Sequence, residues 1–557
     1  MELETPFDQR VRGRLAGFTE VARADEMKAV LQDLERENRE LAQFLDKPQR
    51  DRYDVVIIGS GPGGGTLAHA LRGTGKSILL VERGDFLPQE PANWDTDTVL
   101  TRQAYANTEE WLGAQGVPFN PYHYYYVGGL TKLYAATLLR FRAEDFGELR
   151  HEDGISPAWP VNYDEMEPYY ADAERLYLAH GRTGEDPTEP YRSGPFPYPP
   201  APVPPEVRDL RDRLGRVGLH PFAMPEGIAL MSGGRCLYCA FCDSYPCRVL
   251  AKGDPELCCI RPALRSPDVS LMRRAKALRL ETDATGKEVV AVVVEQDGQR
   301  RRIEAGLFVV SAGTVNSPVL LFRSASDRHP HGLANSSRTV GRHYMRHDIT
   351  VLMAQAPEGH LLPQDHFWKT VGFNDFYFSG GADYPYPLGT VQVIGNYHSW
   401  MSNLLPEGFG GSAEERSRTA AKMLPIFNLT EDLPRADNRV ELTDDDRIRV
   451  TYQANNLKSH TRLVETMTAK LKEAGYGPIT AKPLIRVEQG GGYHHCGTVR
   501  MGDDPATSAL DRHCKAHGLE NLYVVDASCF PSASACNPVL TIVANSLRVA
   551  DHLKTRL

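Results

Sequence analysis

Two adjacent histidines near the carboxyl end of the chain, His494 and His495, are the residues best suited to move a proton. They lie in a glycine-rich run between residues 490 and 502. A neutral imidazole titrates near physiological pH and can act as a general base, and glycines let a ligand approach the backbone closely. A single histidine is more often structural, so it is the glycine-rich setting that favours a catalytic role here.

Six of the ten cysteines fall between residues 236 and 259, and four of these indicate a different chemistry. Cys236, Cys239, Cys242 and Cys247 follow the spacing Cys-x2-Cys-x2-Cys-x4-Cys, which is similar to that of iron–sulfur binding loops. Zinc is an alternative, although its paired cysteine knuckles usually lie farther apart. Buried or disulfide-bonded thiols are the third interpretation, because no cysteine of the loop directly precedes a proline as in ferredoxins.

The elements that must position these side chains begin with a nucleotide-binding unit. A run of four β-branched residues, Val-Val-Ile-Ile, predicts a buried strand, and Gly59, Gly61 and Gly64 follow it with the spacing Gly-x-Gly-x-x-Gly. After a helical run, a second predicted strand over residues 77–81 ends on Glu82. Such glycines let a pyrophosphate approach the backbone at a helix N-terminus, and the acid can accept hydrogen bonds from a ribose. The unit predicts a dinucleotide site.

Three turns elsewhere suit contact between the backbone and a flat ligand. Gly128 and Gly129 are paired and precede small and polar residues, which favours a close approach of the backbone. A predicted strand over residues 301–311 leads through a glycine-containing turn into an apolar helix. A further predicted strand, over residues 522–525, ends on Asp526 shortly before the final helix.

Length and composition limit the classes of protein that the chain can belong to. Its 557 residues predict two or three domains, and a hydrophobic fraction of 41% is ample for packed cores. The net charge of −9 argues against nucleic acid and anionic membranes as partners, and no apolar run reaches the ~18 residues needed to span a bilayer. The N-terminus lacks a secretory pattern, which predicts a cytoplasmic protein unless a partner subunit carries an export signal.

Three further regions have a readable pattern. Residues 25–45 predict a surface helix that packs on the main body. Residues 185–206 are rich in proline and predict an extended connection between domains. Residues 346–480 predict a separate sheet-rich region, with a helix over residues 458–475 near its end.

With these motifs together, the chain resembles the glucose–methanol–choline (GMC) family of flavin oxidoreductases over residues 51–557. Besides the two glycine turns, the resemblance rests on Ser-Ala-Gly at 311–313, Ser-Pro at 317–318, Val-Gly-Arg-His-Tyr-Met at 340–345, His494-x-x-Gly-Thr, and Asn537-Pro538 with Thr541. The resemblance implies FAD as the cofactor. Some members attach FAD through a histidine just after the Gly-Gly turn, whereas residues 130–134 are Leu-Thr-Lys-Leu-Tyr here, so we predict non-covalent FAD.

The resemblance also implies the architecture. We expect an α/β FAD-binding domain, Rossmann-like and discontinuous in sequence, and an α+β substrate domain built on a mainly antiparallel sheet. The predicted boundaries are 1–50 for an N-terminal helical extension, 51–180, 233–345 and 486–557 for the FAD-binding domain, and 181–232 and 346–485 for the substrate domain.

Residue roles follow from the motif positions. In that family the histidine before x-x-Gly-Thr faces the flavin, which carries over to His494, with His495 as the rival base. A second histidine or an asparagine lies opposite, which carries over to Asn537, an amide able to hold the substrate oxygen without adding charge. The cofactor-binding residues that we predict are Gly59, Gly61, Gly64, Glu82, Gly128, Gly129, Thr131, Asp526, Asn537, Pro538 and Thr541.

The cysteine segment, followed by Ala-Lys at 251–252, is similar to that of bacterial sugar-oxidising members: those like gluconate 2-dehydrogenase, glucoside 3-dehydrogenase and pyranose oxidase. The resemblance implies oxidation of a secondary hydroxyl of a sugar or glycoside to a ketone. The electron acceptor would be dioxygen, a quinone or a redox partner protein, and some relatives carry an iron–sulfur cluster. The alternatives are a lyase-type flavoprotein, an electron-transfer module organised by the cysteines, a non-sugar alcohol as substrate, and NAD at the nucleotide site.

Overall fold

The computed structural model describes residues 20–45, 47–203, 205–239, 241–358, 369–394, 412–420, 422–485 and 494–557. The first part of the predicted glycine-rich run, residues 490–493, and the first 19 residues of the predicted N-terminal extension lie outside the described residues.

The helices and strands are numbered here in chain order. The helices are α1 (Glu20–Leu45), α2 (Pro62–Leu71), α3 (Tyr163–Leu176), α4 (Pro205–Arg216), α5 (Arg261–Leu264), α6 (Gly313–Arg323), α7 (Ala413–Ala420), α8 (Leu457–Glu473) and α9 (Val539–Lys554). The strands are β1 (Arg52–Ile58), β2 (Ile78–Val81), β3 (Trp111–Leu112), β4 (Pro118–Phe119), β5 (Leu149–His151), β6 (Gly154–Ser156), β7 (Ala179–His180), β8 (Pro221–Ala223), β9 (Glu226–Gly227), β10 (Val269–Met272), β11 (Ala275–Thr282), β12 (Val289–Gln296), β13 (Gln299–Val310), β14 (Asp348–Gln355), β15 (Val371–Phe373), β16 (Thr390–Val393), β17 (Met423–Thr430), β18 (Arg439–Leu442), β19 (Ile448–Thr451), β20 (Ile479–Pro483) and β21 (Leu522–Val524).

A seven-stranded sheet carries the predicted nucleotide-binding unit. Its order is β10-β2-β1-β13-β12-β11, and β21 pairs with β13. The pairs among β10, β2, β1, β13 and β21 are parallel, whereas β11–β13 form an antiparallel extension. Ile58 lies beside Val81 and Val310, which in turn lies beside Val524. The turns that follow β1, β2, β13 and β21 therefore meet at one edge of the sheet, where ligands of such folds bind.

Close packing explains two of the glycines after β1. A Cβ at Gly64 would lie 1.9 Å from the carbonyl oxygen of Gly59, and a Cβ at Gly63 would lie 2.0 Å from that of Val525. Any side chain at these positions would push α2 away from β1 and β21. These glycines are needed for the contact between helix and sheet.

A six-stranded antiparallel sheet forms the second large layer, with the order β20-β14-β17-β16-β15-β8. Helix α8 packs on β14 and β17 and buries Leu463, Met467 and Leu471, as its predicted spacing requires. The opposite face presents Ile349, Phe427 and other side chains to a separate apolar cluster. An α/β unit with a mainly antiparallel second unit is thus confirmed, while the domain boundaries stay a prediction.

The N-terminal helix is confirmed as a helix that packs on the main body. Helix α1 contacts α5 and β10, and it buries Leu34 and Leu41. Just beyond it, the Lys47 ammonium donates hydrogen bonds to the carbonyls of Leu264 at 2.8 Å and Val269 at 2.7 Å. In the part of the chain that is described, no helix is both long and apolar enough to cross a bilayer.

Candidate active site

A cavity of about 390 Å³ runs from the edge of the parallel sheet to the face of the antiparallel sheet. It brings together most of the predicted site residues, namely Gly59, Gly61, Glu82, Gly129, Thr131, His494, Asp526, Asn537 and Pro538. Gly64, Gly128 and Thr541 are not among the residues that line it. The Thr541 hydroxyl instead pairs with the Tyr170 hydroxyl at 2.7 Å in the core, and the predicted role of Thr541 toward the cofactor stays a prediction.

The N-terminus of α2 has the properties of an anion site. Gly61 is the N-cap residue, and no side chain caps the start of the helix. The first backbone N–H groups are therefore free for a ligand. A Cβ built on Gly61 meets no atom within 4 Å, and Gly61 lines the cavity. The space above this glycine fits the pyrophosphate of a dinucleotide such as FAD.

Glu82 joins three turns at the sheet edge, which sequence reasoning did not foresee. Its carboxylate accepts hydrogen bonds from the Ser60 backbone N–H at 3.1 Å, the Ser60 hydroxyl at 2.6 Å and the Gly84 N–H at 2.8 Å. The Ser60 hydroxyl oxygen in turn accepts the Gly128 N–H at 3.1 Å. Burial raises the pKa of Glu82, and the bond from Ser60 opposes that rise. The predicted hydrogen bonds to a ribose stay a prediction.

Asp526 has a comparable role at the adjacent strand end. Its carboxylate accepts the Gly313 N–H at 2.9 Å and the Ser317 hydroxyl at 2.6 Å, both at the start of α6, and the Ser528 N–H at 2.8 Å. Thr131 similarly holds the Gly-Gly turn, since its hydroxyl donates to the Gly128 carbonyl at 2.6 Å. These bonds fix the backbone around the cavity.

His494 and Asn537 lie together at the other end of the cavity. The Asn537 amide nitrogen is 3.0 Å from Nε2 of His494, and Nδ1 of His494 is 2.8 Å from Nδ1 of His347. His494 adopts a left-handed backbone conformation with φ of +58°, which is uncommon for a residue with a side chain and is often found at functional sites.

Backbone pairing explains why these histidines meet. Met345 and Cys496 exchange two hydrogen bonds, at 3.0 and 2.9 Å, so the segment that ends in His347 runs beside the segment that begins with His494. A Cβ at Gly497 would lie 2.0 Å from the His343 carbonyl oxygen. Gly497 of the histidine motif is thus needed for the close contact between the two segments.

Partial burial and nearby cationic groups favour the neutral form of the His494 imidazole. Burial is the largest cause that lowers its pKa well below 6.5, and the neighbouring His347 and Lys369 lower it further. His495 also lines the cavity, but it packs between the rings of His123 and Tyr344, at 5.8 and 5.2 Å. A neutral imidazole with an available lone pair is what a general base requires.

A polar wall near His494 was missed by the sequence analysis. Asp243, Ser244, Thr137 and Lys369 line the cavity, and the Lys369 ammonium lies 3.6 Å from the Asp243 carboxylate. Asp243 and Ser244 come from the cysteine-rich segment, whereas Lys369 precedes β15. Only the three-dimensional contact of distant segments reveals this wall, although charged residues beside a cysteine cluster could have drawn attention to it.

The geometry does not support the predicted iron–sulfur site at Cys236, Cys239, Cys242 and Cys247. Within the described ranges, no three or more histidine, cysteine or acidic side chains converge as metal ligands would, and these four cysteines are not joined in disulfides. The segment packs in an apolar cluster, and burial raises the pKa of Cys239 to about 12.

The segment instead forms part of the cavity wall. The ammonium of Lys252 donates to the carbonyls of Tyr134 at 2.7 Å, Cys242 at 2.8 Å and Tyr245 at 2.9 Å. Asp243 lies between Cys242 and Tyr245, so the hydrogen bonds of Lys252 also fix the part of the polar wall that this loop provides.

One cavity holds a dinucleotide-type loop at the edge of a parallel sheet and a neutral histidine paired with an amide. Together these features define an oxidoreductase that uses a nucleotide cofactor. Comparison with known proteins gives the family. Residues 226–349 and 430–546 match the N-terminal and C-terminal family models described as GMC oxidoreductase. The chain is 32% identical over 539 residues to 6'''-hydroxyparomomycin C oxidase of Streptomyces lividus, across 91% of this chain and 93% of the relative.

Two further matches agree with this result. Paromamine 6'-oxidase of Streptomyces fradiae is 29% identical over 523 residues, across 89% of this chain and 90% of the relative. A formate oxidase variant from Aspergillus oryzae, solved for the effect of the substitution on FAD modification, has a TM-score of 0.65 at 16% identity and covers 91% of this chain and 99% of its own. The chain belongs to the GMC oxidoreductase family, and this membership implies FAD.

Proposed function

We propose that this enzyme oxidises a secondary hydroxyl of a sugar or glycoside to a ketone, with FAD as cofactor and His494 as the base. The observation that carries the proposal is the contact between Nε2 of His494 and the Asn537 amide nitrogen, 3.0 Å apart, on the wall of the cavity. A hydroxyl can replace this direct contact with two hydrogen bonds, since it donates to the imidazole and accepts from the amide.

The chain's own groups then have distinct tasks. His494 Nε2 takes the hydroxyl proton as the O–H bond breaks, and the Asn537 N–H stays on the oxygen as its bond to carbon gains double-bond character. FAD, when bound, accepts the hydride that leaves the same carbon. Gly61 and the start of α2 would hold its pyrophosphate, and the absence of a histidine in residues 130–134 supports non-covalent binding.

Two features support a sugar or glycoside as the substrate. Asp243, Ser244 and Lys369 place donors and acceptors on the cavity wall near the base, and a polyhydroxylated ligand satisfies such groups in several directions. The curated relatives named above are oxidases named for paromamine and a paromomycin, which are glycosides. The electron acceptor could be dioxygen, a quinone or a redox partner protein, all of which accept electrons from reduced flavin.

A matched pair of glycosides tests the proposal. The purified protein, mixed anaerobically with methyl glucoside or paromamine, is expected to lose its yellow FAD absorbance as the substrate is oxidised. Methyl 6-deoxyglucoside keeps the secondary ring hydroxyls but lacks the primary one, so we expect it to bleach the flavin as methyl glucoside does. Bleaching by methyl glucoside alone would place the reaction at the primary carbon, and retained colour with every glycoside and polyol would refute sugar oxidation.

The pH dependence of flavin reduction tests the role of His494. A base must be neutral, and the pKa of His494 is lowered well below 6.5, so the imidazole stays competent as the pH falls through 6.5. We expect the rate constant of anaerobic flavin reduction at saturating substrate to be constant from pH 8 to below 6.5. A loss of rate with a midpoint at 6.5 or above, with folding intact by circular dichroism, would contradict this assignment.

A further inference from the structure

A continuous chain of hydrogen bonds crosses the candidate active site. His347 Nε2 lies 2.9 Å from the Ser534 carbonyl oxygen, and His347 Nδ1 lies 2.8 Å from His494 Nδ1. His494 Nε2 lies 3.0 Å from the Asn537 amide nitrogen, and the Asn537 amide oxygen accepts the Gln392 amide at 2.6 Å. The chain therefore connects a backbone carbonyl to a side-chain amide through two imidazoles.

The two ends of this chain determine where each proton lies. A carbonyl oxygen only accepts, so His347 carries its proton on Nε2 and leaves Nδ1 as an acceptor. An amide nitrogen only donates, so His494 Nε2 must be unprotonated and its proton lies on Nδ1. The Ser534 end leads to the same result, because His347 Nδ1 accepts the His494 Nδ1 proton and leaves the Nε2 lone pair to the Asn537 N–H. One proton arrangement satisfies all four contacts.

We propose that His347 is a positioning residue that fixes His494 in the tautomer with its proton on Nδ1, so that the Nε2 lone pair faces the substrate hydroxyl. In the free protein Asn537 supports the same tautomer, but a substrate hydroxyl that takes its place at Nε2 can accept as well as donate. Without an acceptor on Nδ1 the imidazole would then favour the opposite tautomer, whose Nε2 carries a proton and is no base. The inference rests on the proposed function for its catalytic meaning, whereas the tautomer itself depends only on the protein.

Burial and the surrounding structure keep His347 suited to this task. Its side chain is fully buried, and burial lowers its pKa to about 4. If His347 were protonated, its Nδ1–H would face the Nδ1–H of His494 across a 2.8 Å contact. The low pKa of His347 prevents this clash. The acceptor on Nδ1 therefore persists across the physiological pH range.

The same acceptor serves the state that follows proton transfer. Once the hydroxyl proton has moved to Nε2, His494 carries protons on both nitrogens and becomes a cation. His347 Nδ1 still accepts a hydrogen bond from the Nδ1–H of His494, and the substrate oxygen accepts one from the Nε2–H of His494. Neither N–H of the imidazolium is left without a partner in a site where unsatisfied polar groups are costly.

Two substitutions separate this role from simple packing. His347→Phe keeps the bulk of the ring but removes the acceptor, whereas His347→Asn keeps an acceptor oxygen near the position of Nδ1. Because an imidazole in the wrong tautomer loses most of its catalytic effect, we expect His347→Phe to slow flavin reduction by about 10²-fold with little change in the substrate dissociation constant. His347→Asn should recover most of that loss.

The tautomer can be read without any substrate. In protein labelled with ¹⁵N-histidine, long-range ¹H–¹⁵N correlations identify the protonated nitrogen of His494, with its signal assigned by its loss in His494→Gln. We expect the proton on Nδ1 in the unsubstituted protein and in His347→Asn. In His347→Phe only Asn537 still favours that tautomer, so we expect a detectable share of the signal from the form protonated on Nε2. A proton on Nε2 in the unsubstituted protein would overturn the inference, as would equal reduction rates for His347→Phe and His347→Asn. Absence of glycoside oxidation with the expected tautomer would refute the proposed function alone.

Discussion

His494→Ala is expected to slow anaerobic flavin reduction by about 10²-fold or more, as loss of a positioned general base usually does. The alanine has no group to take the substrate proton, and Asn537 alone supplies only a donor. FAD binding should survive, because the glycine loop and the strand ends that form the other end of the cavity do not depend on this side chain. Stopped-flow absorbance of the flavin gives the rate constant, and the ratio of flavin to protein absorbance gives the FAD content.

His495→Ala is the matched control for this prediction. Both histidines are half-buried and line the same cavity, and burial lowers the pKa of both. Of the two histidines, His494 is the one that contacts Asn537 and His347, so we expect His495→Ala to change the reduction rate by less than about tenfold. A larger loss in His495→Ala than in His494→Ala would make His495 the base.

Local patterns were sufficient to predict the elements that surround the proposed cofactor site. The β-branched run before Gly59 is a fully buried parallel strand, and such strands have a continuous apolar pattern that is easy to recognise. The predicted strand before the Ser-Ala-Gly turn leads into α6 as expected. Helix α8, which packs on the antiparallel sheet, buries the apolar face that its spacing predicts.

The interior of the site could not be predicted in the same way. His347 and Gln392 act on His494 and Asn537 from 147 and 145 residues away in the chain, and no local periodicity encodes such contacts. The cysteine spacing indicated a metal because spacing reports only how closely thiols can approach one another. It does not report whether the side chains converge in the fold, and among the described residues no group of three or more such ligands converges.

Gly61→Val is expected to give a folded protein that no longer retains FAD. Gly61 has a φ of −68°, which valine can adopt, and no atom lies within 4 Å of the position of its Cβ. The added side chain therefore leaves the packing of the protein intact but occupies the space above the N-terminus of α2. Overpacking of this kind costs about 1–3 kcal/mol, which corresponds to a dissociation constant for FAD roughly five- to 150-fold higher.

Two other glycines make this prediction specific to the cofactor. Gly194 is exposed and also meets no atom within 4 Å, so Gly194→Val should keep both FAD and thermal stability. Gly64→Ala, whose Cβ would lie 1.9 Å from the Gly59 carbonyl oxygen, should lower the melting temperature of the FAD-free protein itself. Flavin content after gel filtration and thermal unfolding of the FAD-free proteins separate the three variants. If Gly61→Val kept FAD as firmly as Gly194→Val, or if it unfolded like Gly64→Ala, the open space above α2 would not be the cofactor's pyrophosphate site.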